Sequence, residues 1–77
     1  MKALARHVND AASQAVEVEG GSVIIQATAF AKAYLGTPAN GATEQILLDP
    51  TPGDEPSDWM IFTLIYYAEK GEWEVIK

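Results

Sequence analysis

The sequence predicts an α+β fold in which two N-terminal helices, about 2–15 and 23–35, pack on a three-stranded antiparallel sheet of about 43–48, 59–68 and 72–76. Three observations lead there. Apolar residues recur at helical spacing in the first half of the chain. In the second half they crowd both parities of the run from Trp59 to Ala68. Glycine and proline cluster between these segments. With 77 residues and no cysteine, the chain has material for one compact domain, 1–77, without a separate linker or a disulfide. A chain of this size buries roughly 60% of its unfolded surface, so modest stability is expected.

The first helix rests on Leu4, Val8, Ala11 and Ala15, with Ala5 and Ala12 widening the same arc and Lys2, Arg6, Asn9, Asp10, Ser13 and Gln14 opposite. Alanine dominates that arc, which permits close packing but buries little area per residue. Glu17 and Glu19 then alternate with Val16 and Val18, the pattern of a short strand with the valines inward. Gly20-Gly21 is either a hairpin turn, which would make residues 15–27 an additional β-hairpin or strand, or a break before a helix capped by Ser22. The helix is preferred. Val23, Ile24, Ala27, Phe30, Ala31, Tyr34 and Leu35 share one arc, while Gln26, Ala29, Lys32 and Ala33 lie away from it. Gly36 offers a C-cap and Pro38 a stop. Ile25 alone is an apolar residue on the wrong side.

Thr37-Pro38 and Asn40-Gly41 mark a loop, and Thr43 begins a strand that Pro50 ends. The next stretch, DPTPGDEPSD, holds four carboxylates and three prolines. Each proline fixes φ and restrains its predecessor, so the acids are displayed on a stiffened connection. The Trp59–Ala68 strand is apolar on both parities, which requires two covered faces or one face that binds something. A turn at Glu69-Lys70-Gly71-Glu72 returns the chain. Pairing Ala68 with Trp73 would set Tyr66 opposite Val75 and Leu64 near Lys77. Trp73 and Val75 would then share a face with Phe62, Leu64 and Tyr66. Trp59, Ile61, Thr63, Ile65 and Tyr67 would share the other with Glu72, Glu74 and Ile76.

Charge narrows the function classes. The net charge is -6, and all of it falls in residues 43–77, where Lys70 and Lys77 face eight acids. Residues 1–42 balance Lys2, Arg6 and Lys32 against Asp10, Glu17 and Glu19. Such a chain is a poor ligand for nucleic-acid phosphates, which need clustered cations, and a plausible one for a basic protein. Its longest apolar run is too short to span a bilayer as a helix, so no membrane association is expected. No long apolar segment follows Lys2 and Arg6, so no secretory signal is expected and the setting is cytoplasmic.

Catalytic and metal chemistry find little to work with. His7 is the one histidine, and it is expected at the surface. Asp49, Asp54, Glu55 and Asp58 do not match the spacing of a calcium loop, and nothing promises a cleft around a carboxylate pair. The expectation is a non-enzymatic small acidic protein-binding module, a modulator or inhibitor of a larger protein with a basic or nucleic-acid-binding surface, using no cofactor and no metal. Its contact residues are expected to be Asp54, Glu55, Asp58, Trp59, Ile61, Tyr67, Glu72 and Glu74. The alternatives are a structural homodimer joined across the second sheet face and, far behind, a carboxylate-based hydrolase or metal-binding protein.

Overall fold

The computed structural model describes residues 2–8, 15–51, 53 and 58–76. They form strands β1 (Ala3–His7) and β2 (Val16–Val18), helix α1 (Val23–Tyr34), and strands β3 (Thr43–Asp49), β4 (Met60–Tyr67) and β5 (Glu72–Ile76). The strands make one five-stranded sheet in the order β2-β1-β3-β4-β5, with every neighbouring pair antiparallel.

This overturns the expected pair of helices on a three-stranded sheet. Residues 3–7, assigned to a first helix, are a strand between β2 and β3. Ala3 and Ala5 are fully buried there, opposite Val18 and Val16 on one side, with Ala5 also opposite Leu48 on the other. The physical reason is that helix propensity is a weak prior which tertiary packing overrides. An alanine-lined helix would bury little area. The same alanines in a strand let α1 approach the sheet closely. Residues 9–14 of the expected helix lie outside the described residues. The valines of β2 face inward as the alternation implied, and the chain then enters α1, the preferred reading after Gly20-Gly21, so of the alternative over 15–27 only a short strand is present.

Helix α1 has its ends where the sequence placed them. Ser22 Oγ accepts the Ile25 N–H at 3.2 Å. At the far end the Leu35 N–H reaches Ala31 O at 2.9 Å, and Gly36 follows at φ +70°, a conformation that glycine adopts without cost. The buried stripe is Gln26, Ala27, Phe30 and Ala31, with Val23 and Leu35 at its margins. Gln26 departs from the wheel, which put it on the solvent side. Ile24 and Tyr34 depart the other way, at 40% and 57% exposed. Tyr34 keeps a ring contact with Phe30, centroids 4.8 Å apart.

The covered face of the sheet carries Ile46 and Leu48 from β3, Leu64 and Tyr66 from β4, and Trp73 from β5, all buried. Tyr66 and Trp73 meet edge to face at 5.3 Å. They are direct cross-strand partners, as are Leu64 and Val75. The expected pairing of Ala68 with Trp73 is therefore off. The hairpin loop is Ala68–Gly71, and Gly71 closes it at φ +64° with its N–H on Tyr67 O at 2.9 Å. The left-handed position must be the last loop residue, and only glycine takes it cheaply, so Glu72 belongs to the strand. Each strand enters the ladder one residue earlier, and the pairing shift of two preserves the assignment of faces.

Candidate functional site

The opposite face of the sheet has no covering layer among the described residues. β4 presents Ile61, Thr63, Ile65 and Tyr67 there. Leu47 of β3 lies across from Ile61, and Ile76 of β5 lies across from Thr63. Ile61 is 61% exposed, Ile76 47% and Tyr67 38%. Leu47 and Ile65 are half-buried. Strand alternation produces this directly: residues one step from Leu64 and Tyr66 in β4 must point the other way.

Charged groups flank the patch. On β5, Glu72 sits opposite Tyr67 and Glu74 opposite Ile65. Lys70 Nζ binds Glu74 Oε1 at 2.8 Å and stands 5.6 Å from the Tyr67 ring centroid. The Glu74 carboxylate, through its hydrogen bond and its charge, raises the Lys70 pKa above the ordinary 10.5. On the far side Arg6 of β1 lies across from Leu47. The rim is thus acidic at the β5 end and carries cations as well, a more mixed field than the net charge of the segment suggests.

Of the expected contact residues, Ile61, Tyr67, Glu72 and Glu74 lie on this one face. Trp59, just before β4 and 38% exposed, has the parity of Ile61, and Asp58 beside it is exposed. Asp54 and Glu55 lie outside the described residues. The sequence reading missed Leu47 as part of the patch. Its signal was available: the β3 segment ILLD has apolar residues on both parities, as β4 does.

Two polar residues depart from expectation. Asp49, expected on a solvated acidic connection, is 1% exposed. Its Oδ1 accepts the Thr51 N–H at 3.1 Å in a tight Asx-type turn, while Oδ2 is buried with no hydrogen-bond partner among the described residues. His7, expected as a plain surface histidine, is half-buried on the covered face and meets Glu44 Oε2 at 2.5 Å. Neither is part of a cluster of three or more potential metal ligands among the described residues. No helix among those residues is long and apolar enough to cross a membrane.

A groove of about 590 Å³ runs between α1 and the start of β5. Ile25, Ala29 and Lys32 form its helix wall, and Tyr66, Glu72 and Trp73 form its sheet side. The Trp73 indole N–H is held by Gly36 O at 3.3 Å, which fixes the ring at the groove floor. The chain matches no protein-family model, no curated protein and no solved structure.

Proposed function

We propose that the chain is a non-enzymatic, protein-binding module of the cytoplasm that modulates or inhibits a larger protein through the open face of its sheet. One observation carries this reading: Ile61, Tyr67 and Ile76 are exposed beside half-buried Ile65 on a face that no layer among the described residues covers, with carboxylates at its β5 border. A contiguous exposed apolar patch of this kind commonly marks a contact surface, and tyrosine and tryptophan are favoured at buried contacts. The net charge of -6 favours a partner with a basic surface and disfavours nucleic acid itself.

The test is affinity capture from the source cell at low and high salt, comparing the natural chain with Ile61→Lys, alongside sedimentation of the pure protein. The expected result is a captured protein that is retained less at high salt and lost with Ile61→Lys. Equal capture by both forms would remove the open face from the function. A concentration-dependent dimer abolished by Ile61→Lys would replace the modulator reading with a structural homodimer that covers this face with itself.

A further inference from the structure

The sheet stops at β5, and the register shows which backbone groups its outer edge offers. Tyr66 donates its N–H to Ala42 O at 2.9 Å and accepts the Gly41 N–H at 2.8 Å, so both of its groups turn toward the β3 side. The Tyr66–Trp73 pair is therefore a non-hydrogen-bonded pair of the antiparallel ladder, and the N–H and C=O of Trp73 point away from β4. Val75, two residues on and opposite Leu64, repeats the arrangement. No described strand pairs with this edge.

The groove between α1 and β5 opens at the turn end of the same edge, where Gly71, Glu72 and Trp73 line it. Its volume of about 590 Å³ is ample for several side chains. Ile25, Ala29 and Lys32 recur at one-turn spacing on the helix wall, and Trp73 lies in the floor. This gives Ile25 a reason. It is the apolar residue that fell outside the buried arc of α1, and it is 60% exposed. An isoleucine there has no role in the core, but it borders a slot whose opposite side is an unpaired strand.

We propose that the groove between α1 and the β5 edge receives an extended segment of a partner protein, alternating apolar and basic residues, as a sixth strand. Main-chain bonds to Trp73 and Val75 would supply the pairing, in the manner of strand addition to exposed sheet edges. Alternate side chains of the segment then face the helix side and enter the groove against Ile25, Ala29 and Trp73, where apolar groups fit. The intervening ones lie on the open-face side next to Glu72 and Glu74, where cations fit. The Lys70–Glu74 pair is exposed and can open to admit a competing cation.

A second copy of this chain meets repulsion in the two registers that pair Trp73 within β5. An antiparallel β5–β5 ladder that pairs Trp73 with Trp73 sets Glu72 against Glu74, and one that pairs Trp73 with Val75 sets Glu74 against Glu74. Like charges directly opposite destabilise a ladder, so those two registers are disfavoured, whereas a basic strand meets complementary charge at Glu72 and Glu74. The inference rests on the protein-binding reading and adds a second surface, the β5 edge, which shares the Glu72 and Glu74 border with the open face and has its own ligand chemistry.

The probe is an acetylated and amidated octapeptide of alternating lysine and valine, titrated into isotope-labelled protein at low salt. At saturation, hydrogen exchange of the Trp73 and Val75 amides is expected to slow by about tenfold or more. Affinity is expected to fall about tenfold in Ala29→Arg, which fills the groove from an exposed helix position, and in the double variant Glu72→Lys, Glu74→Lys. Ile25→Ala is a second groove variant with no new charge and is expected to weaken binding in the same direction. A peptide methylated on alternate backbone nitrogens is expected not to bind. Absence of saturable binding overturns the proposal. So does binding that leaves the Trp73 and Val75 amides unprotected, or that survives Ala29→Arg and Ile25→Ala unchanged. Ile61→Lys, which disables the open face, is expected to leave peptide affinity within about twofold. Peptide binding lost in Ile61→Lys alone would place the peptide on the open face, overturning strand addition while leaving the protein-binding reading intact.

Discussion

The two faces of the sheet are built from the same strands and differ by one residue step. On the covered face Leu64 is fully buried beneath the helical layer, while on the other Ile61 is 61% exposed. Both faces are apolar in β4. The difference lies in what sits above them: Ala27, Phe30 and Ala31 of α1 on one side, and no described layer on the other. One face therefore contributes to folding, and the other keeps apolar side chains that no described layer covers. Burying a side chain of this size contributes about 1.5–3 kcal/mol, so the uncovered residues represent a substantial unused driving force for association.

Stability measurements can break or sharpen that contrast. The largest effect is expected from Leu64→Ala, which should cost about 2–5 kcal/mol in denaturant unfolding because it leaves a cavity in a close-packed layer. Ile61→Ala is expected to cost no more than about 0.5 kcal/mol in the monomer. A cost for Ile61→Ala comparable to that of Leu64→Ala would mean that the open face is already covered in solution.

Among the described residues two buried polar atoms have no partner, Gln26 Oε1 under the helix and Asp49 Oδ2 at the end of β3. Gln26→Leu keeps similar bulk and removes the orphan, and it is expected to stabilise by about 1 kcal/mol. Asp49→Ser keeps an oxygen able to accept from the Thr51 N–H and deletes the buried, unpartnered one. It is expected to raise the unfolding midpoint by several degrees, the shift that about 1 kcal/mol produces in a domain of this size. A fall in midpoint for Asp49→Ser would show that the carboxylate has a stabilising partner in solution, and that the burial of Asp49 belongs to a site.

The smallest effect concerns the Lys70–Glu74 pair at the rim of the open face. Its folded form holds Lys70 above the ordinary 10.5, so the associated stability is fully present below that value and is lost as pH rises through the raised pKa. Lys70 is solvent-exposed, and the contribution is correspondingly slight. Lys70→Met is expected to shift the unfolding midpoint barely at neutral pH, with the difference shrinking further in high salt. A large, salt-insensitive loss would mean that this end of the face is shielded from solvent.

Much of the candidate surface was legible because strand alternation is a local property. Once Trp59 to Tyr67 is read as a strand, Ile61 and Tyr67 must share a face, and the hairpin through Gly71 brings Glu72 and Glu74 beside them. Even a register displaced by two residues left that grouping intact, since the side-chain period is two. The α1–β5 groove was legible only as an anomaly, the misplaced Ile25, because its other wall is remote in sequence. Gln26 was misplaced for a related reason. A wheel ranks residues by polarity, whereas burial depends on which flank of the helix meets the sheet.

By itself the sequence determined α1, through the Ser22 cap, the apolar arc and Gly36. It also determined the C-terminal strands, the facing of their side chains and the concentration of acid beyond Ala42. All of these follow from neighbours along the chain. Tertiary structure alone decided that residues 3–7 are a strand. Ala3, Leu4 and Ala5 alternate only weakly, so the local pattern favours a helix, and β2 on one side and β3 on the other select the strand instead. It likewise decided the burial of Asp49, opposite Leu4, and the groove at the turn end of the unpaired β5 edge. The pattern of a short alanine-rich segment is degenerate, and contacts distant in sequence, which carry most of the burial in a sheet, resolve it.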